Sequence, residues 1–240
     1  MDAATLYRAG KLDEAIEAAG EVLRSNPMDL AGRTFLFELL LFAGEFERAE
    51  KQLDVVARAN SDAEMGAWLY RSALHAERTR QEMFETDSLP AGGVAPTPPA
   101  GVLNGSPFET IEDADPRIGA RLEIFAAGQY TWIPFDQLAG ITAAPPRRVR
   151  DLVWIPAQFT VAEAYTGMDL GEVLVPSLTP GASSDEDDMV RLGRVTDWVG
   201  SGTDEEAVPV GQKLLLVDGE PFPLLELREL RIEPRAAAGD

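Results

Sequence analysis

The sequence predicts an α+β protein in two parts, a layer of paired helical repeats followed by a strand-rich α+β domain. Three observations carry this reading. A short pattern near the N-terminus returns after 34 positions, Pro and Gly crowd a stretch in the middle, and runs of residues suited to strands fill the second half. The boundaries that follow are 1–86 for the helical domain, 87–108 for a Pro/Gly-rich linker or loop, and 109–234 for the strand-rich domain.

In the first part, Ala9-Gly10-Lys11-Leu12-Asp13-Glu14-Ala15 recurs as Ala43-Gly44-Glu45-Phe46-Glu47-Arg48-Ala49. A period of 34 with this Gly, large-apolar and Ala spacing is the tetratricopeptide (TPR) pattern. Gly10 and Gly44 belong in the turns between paired helices, where a positive φ is cheap only for glycine. Ala15 and Ala49 belong where two helices come close, with Leu12 and Phe46 filling the gap beside them. Pro27 ends the second helix. In the second repeat Ser61 stands where that proline would be, and Asn60-Ser61-Asp62 supplies a turn and an N-cap instead. A further helix is expected from Asp62 to about Glu85. Two repeats and one helix are few for a free-standing solenoid, so the layer is expected to pack against the second domain.

The stretch TDSLPAGGVAPTPPAGVLNGSP from Thr86 to Pro107 holds no helical pattern and reads as a linker or long loop. Beyond it, strands are expected at Gln129–Ile133, Leu152–Ile155, Glu172–Val175, Val190–Trp198 and Lys213–Val217. Asp218-Gly219 suits a hairpin turn. The returning arm is expected over Phe222–Ile232, with Pro221 and Pro223 tolerated at its edge. Asp115–Ala127 reads as a short helix, Phe135–Gly140 as a helical turn, and Arg235–Asp240 as a frayed tail.

Charge and composition exclude several functions. Forty-one acids against 21 bases leave a formal charge of −20. Both halves share it, with 17 acids and 10 bases in residues 1–90 and 24 and 11 in the rest. Such a field repels a phosphate backbone and an anionic lipid surface, so neither nucleic acid nor membrane is an expected partner. With no cysteine there is no disulfide, thiolate nucleophile or Cys-based zinc site, which suits a cytoplasmic protein. The N-terminus has charges where a signal peptide needs an apolar run.

Catalytic designs find little material. His75 is the single histidine, on an expected helix, and no Gly-x-Ser-x-Gly elbow exists. Asp185-Glu186-Asp187-Asp188 lacks the alternating ligands and distal glutamate of an EF-hand loop and reads as a solvated acidic loop. Gly200-Ser201-Gly202-Thr203 has no lysine and is no phosphate-cradling loop. The expectation is a protein without enzymatic activity, cofactor or metal.

What remains points to an interface. The stretch Asp115–Gln158 holds two Trp-x-Pro units, at Trp132 and Trp154, and the densest basic cluster, Arg147, Arg148 and Arg150, after Pro145-Pro146. Aromatics and arginine are what protein interfaces favour. The arginines suit either an acidic partner or this chain's own carboxylates across the domain junction. In the helical layer, Phe35, Glu38, Leu39 and Trp68 are candidates for lining a groove between repeats, or for core.

The same Asp115–Gln158 stretch, with LYRAGKLDEAI (Leu6 to Ile16), FELLLFAGEFERA (Phe37 to Ala49) and LLLVDGEPFPLLELRELR (Leu214 to Arg231), resembles the ImpE family, also called TagJ. The resemblance implies an accessory role in bacterial type VI secretion. It implies binding to a helical segment near the N-terminus of the sheath subunit TssB, close to sheath assembly or disassembly by the ClpV ATPase. Two alternatives stay open, a general scaffold for secretion components and a carboxylate-dependent hydrolase.

Overall fold

The computed structural model of the chain describes residues 1–59, 61–90, 96–162, 172–200 and 207–233. Five helices come first: α1 (Ala3–Arg8), α2 (Leu12–Ser25), α3 (Leu30–Phe42), α4 (Phe46–Ala57) and α5 (Ser61–Glu85). They form two antiparallel pairs and a fifth helix, as the repeat predicts. Gly10 at φ +77° and Gly44 at φ +68° make the two turns. After Gly10, the Lys11 N–H donates to Leu6 O and the Gly10 N–H to Tyr7 O, which satisfies the last carbonyls of α1. Leu12, Ala15 and Ala49 have no exposed surface, so the small side chains do sit at the close approaches. Asp2 and Asp29 cap α1 and α3 through their carboxylates.

The second part is built from antiparallel strands. An eight-stranded sheet has the order β2 (Ser106–Phe108), β1 (Gly101–Leu103), β13 (Glu229–Ile232), β6 (Leu138–Ala143), β7 (Trp154–Val161), β8 (Glu172–Pro176), β4 (Arg121–Ala126), β5 (Gln129–Pro134). A three-stranded sheet, β12 (Glu220–Pro223), β11 (Leu214–Val217), β3 (Ile111–Asp113), lies beside it, and β9 (Thr196–Val199) pairs with β10 (Val208–Gly211). Asp218 and Gly219, both at positive φ, turn β11 into β12 as expected. The Asp218 carboxylate also accepts from the Glu109 and Thr110 N–H groups at 2.8 Å.

Several expectations give way. The linker is shorter than 87–108, because β1 and β2 already form a hairpin on the edge of the large sheet there. Pro107 is tolerated because β2 is an edge strand. Asp115–Ala127 is not a helix. Its second half is β4, paired along its whole length with β5, and its side chains alternate between two cores. Of Val190–Trp198 only the end is strand; α6 (Asp188–Arg191) and a turn through Gly193 at φ +61° precede β9. Leu152 closes a 3-10 turn (Val149–Leu152), so that strand starts at Trp154 and runs on to Val161. The helical turn at Phe135 ends at Gln137, where β6 begins, and a 3-10 turn (Leu224–Glu226) breaks the returning arm. The acidic loop is partly ordered, with Asp187 capping α6 and Asp188 inside it. Residues 201–206 and the tail 234–240 lie outside the described residues.

The alternation in β4, β7 and β8 explains how the two parts hold together. Leu122, Ile124, Ile155 and Val175 point into a core between the sheets, with Ile111, Leu215 and Leu230. Phe125, Trp154 and Leu174 point the other way, into one continuous core with Leu39, Phe42, Ala73 and Leu74 of the helices. The sheet therefore packs on α5 and, through the turn at Val149–Leu152, on α3.

Candidate partner-binding surface

The inner side of the helical layer, where the repeat pattern predicts a groove, is filled by the chain itself. The turn at Val149–Leu152 carries Arg150 over the ring of Tyr70, with its guanidinium 4.8 Å from the centroid. The same guanidinium donates to the buried Glu38 carboxylate. Burial raises the Glu38 pKa and the Arg150 charge opposes that rise. Trp154 stacks on Tyr70 at 6.3 Å and 16° and has almost no exposed surface. Leu39 is fully buried in the helical core, and Phe35 packs edge-on against Tyr7. Of the nine residues the sequence nominates, Leu39 and Trp154 are therefore core, and Glu38 and Arg150 are spent on each other.

The other nominated residues keep some exposure. Trp132 is half buried against Phe84, and its indole N–H donates to the Tyr130 hydroxyl. Trp68 is 64% exposed on α5, between Met65 and Leu69. Arg147 and Arg148 face solvent. Their backbone N–H groups donate to the Asp151 carboxylate at 2.9 and 3.0 Å, which fixes the loop after Pro146. The arginine cluster thus divides: Arg150 pairs with the chain's own carboxylate, and no ion pair among the described residues reaches Arg147 or Arg148.

A second constellation at the junction has no counterpart in the motif reading. Arg80 of α5, 1% exposed, donates to both oxygens of Glu123 on β4 at 2.8 and 3.0 Å, and to Leu178 O. Glu123 also accepts from Lys213 and from the Tyr130 hydroxyl. Lys213 pairs with Asp113 at 2.6 Å, Arg80 with Glu77 at 3.0 Å, and Glu77 accepts from the Trp154 indole. Three acids and two bases are thus sealed between helix and sheet. Burial pushes Glu123 up, yet the charges of Arg80 and Lys213 outweigh it and hold the carboxyl below the usual range. Burial, helped by the neighbouring Glu123 charge, lifts Asp113 to about 6 despite Lys213. Burial works against the charge on Arg80 and Lys213, but their carboxylate partners keep both firmly protonated.

The chemistry open to this cluster is structural. The space beside Glu77 and Arg80 measures about 20 Å³, room for a water and nothing larger. Among the described residues no group of three or more His, Cys, Asp or Glu is placed to hold a metal ion, and no helix is long and apolar enough to cross a membrane. His75 is exposed on α5. The signal that could have exposed the cluster is Glu123 inside Arg121–Ala126 and Lys213 directly before three leucines, charged residues in otherwise apolar strand positions.

Open space lies elsewhere. A polar cleft of about 490 Å³ runs between the α3–α4 turn, the end of α5 and the Gly181–Ser184 loop. An apolar cavity of about 210 Å³ opens between α3, α4 and the first half of α5.

Comparison with known proteins matches this architecture. The profile of the ImpE protein family matches residues 105–231, and a tetratricopeptide repeat profile matches residues 6–68. The chain is 34% identical to the type VI secretion system accessory component TagJ of Pseudomonas aeruginosa, in an alignment covering 99% of this chain and 93% of that protein. The crystal structure of protein VPA1032 from Vibrio parahaemolyticus has the same fold, with a TM-score of 0.81 at 23% identity over 96% of this chain and 97% of that one.

Proposed function

This chain belongs to the ImpE family, and on that premise we propose that it is a cytoplasmic accessory protein of a type VI secretion system that works without chemistry. Its task in this reading is to hold a helical segment of the small sheath subunit, a TssB-like protein, near sheath assembly or ClpV-driven disassembly. The observation that carries the proposal is the end-to-end similarity to TagJ, which spans the helical layer and the strand-rich part alike. The architecture agrees with it. Paired helices present surfaces suited to a further helix, and the buried polar groups at the junction are committed to holding α5 on the sheet.

The test is co-elution of the full-length chain with its cognate sheath small subunit by size exclusion, with and without that subunit's N-terminal helix. The proposal expects a complex that disappears when the helix is removed. A complex that forms equally well without the helix would overturn helix capture and favour a general scaffold.

A further inference from the structure

Large apolar side chains of the helical layer are exposed around the α2–α3 connection, at Val22, Met28 and Leu30, and on the first half of α5, and it is the α5 segment that also walls an apolar cavity. The second half is sealed, with Ala73, Leu74, Ala76, Glu77 and Arg80 buried against the strands. Alongside the first half opens the cavity of about 210 Å³, walled by Phe37, Leu53, Val56, Ala67 and Tyr70. Gly66 lies at this opening, and a Cβ placed there would meet nothing within 4 Å. Met65, Trp68 and Leu69 of the same turns, 75%, 64% and 38% exposed, point away from that cavity, with Trp68 and Leu69 beside Phe125 and Leu174. Large apolar side chains at this 3- and 4-residue spacing form a stripe along the helix rather than isolated exposures.

Charge selects the occupant. Arg148 and Arg150 border the cavity, and Arg150 is held by Glu38. Arg148 has no ion pair among the described residues, in a chain whose acids outnumber its bases 41 to 21. Asp151 meanwhile holds the loop that presents it. An exposed arginine beside an apolar cavity fits a ligand that brings its own carboxylate next to an apolar anchor.

We infer that this cavity is a socket for one large apolar side chain of a partner's amphipathic helix lying along α5, with Arg148 pairing a carboxylate on the same helix. The inference rests on the helix-holding function proposed above and assigns it a place. It also explains why the inner groove can be filled by Arg150 and Trp154 without loss of a docking surface.

Calorimetric titration of the full-length chain with a synthetic peptide covering the cognate sheath small subunit's N-terminal helix tests it. Gly66→Phe fills the socket from a position with open space, Arg148→Glu reverses the charge, and Gly66→Ala is the control. Thermal melts establish that all three fold. The expected result is affinity lowered about tenfold or more by Gly66→Phe and about tenfold by Arg148→Glu, with Gly66→Ala within a few-fold of wild type. The Arg148→Glu loss should shrink as salt is raised. Wild-type binding with both variants unchanged would overturn the socket and leave helix capture standing. No binding to the wild-type chain would remove helix capture and the socket together.

Discussion

Replacing Asp113 by asparagine should change how the stability of this fold depends on pH, by an amount set by the buried cluster. Burial lifts the Asp113 carboxyl from 3.8 to about 6, against the pull of the Lys213 ammonium. An acid with a higher pKa in the folded chain binds its proton more tightly there. Stability therefore falls as pH rises between the two values and is level above them. The whole span corresponds to about 3 kcal/mol, at roughly 1.4 kcal/mol per pKa unit. Glu123 has the opposite sign. Although burial raises it, Arg80 and Lys213 hold it below its ordinary 4.5, so its contribution is present above that value and lost as pH falls. Its window closes before pH 5, which isolates Asp113 between pH 5 and 7, where it should remove about 1 kcal/mol. Glu38, also raised by burial, tilts the same way, so the quantity to measure is the difference between wild type and Asp113→Asn. Urea unfolding at pH 5 and 7 reads it, and that difference should shift by about 1 kcal/mol in favour of the variant at the higher pH. A difference that stays constant across the interval would refute the assignment of the raised carboxyl to Asp113.

Three other perturbations have defined outcomes. Arg150→Met leaves the Glu38 charge buried without its partner and should cost about 3 kcal/mol in urea unfolding, with much of the loss recovered in the Arg150→Met/Glu38→Gln double variant. Gly44→Ala puts a side chain at φ +68° with its Cβ 2.9 Å from Ser183 Cβ, and should destabilise the fold by about 1–2 kcal/mol. Residues 1–88 expressed alone should show no cooperative thermal transition by circular dichroism, because Leu74, Glu77 and Arg80 lose the sheet that covers them.

The sequence exposes the helical part well because its constraints are local. Gly10 and Gly44 need positive φ, Ala15 and Ala49 need to be small, and both pairs repeat at a fixed spacing. The strands were legible where branched and aromatic residues run together, as at Gln129–Ile133 and Lys213–Val217. They were hidden where edge pairing overrides composition. Gly101–Phe108 looks like a linker because Gly and Pro are tolerated on the hairpin that ends the sheet. Asp115–Ala127 mixes an Asp-Pro turn with a strand whose alternate residues face two different cores, so no single period stands out. The buried charge cluster at the junction is harder still to read. Arg80 meets Glu123 across 43 residues and Lys213 meets Glu123 across 90, and no spacing rule joins such partners. Trp68 and Leu39 are both candidates for lining the repeat groove, and Trp154 is one for an interface beside the arginines. Trp68 is exposed whereas Leu39 and Trp154 are core, because residue type alone does not distinguish an interface anchor from a packed one.

Amide hydrogen exchange of the full-length chain, alone and with saturating cognate sheath small subunit, reads directly whether a partner helix is held beside α5. Helix capture beside α5 predicts added protection in residues 61–70 and in the loop around Arg148, with the strands β3, β11 and β12 unchanged. Protection confined to the strand-rich part, or none anywhere at saturation, would contradict it.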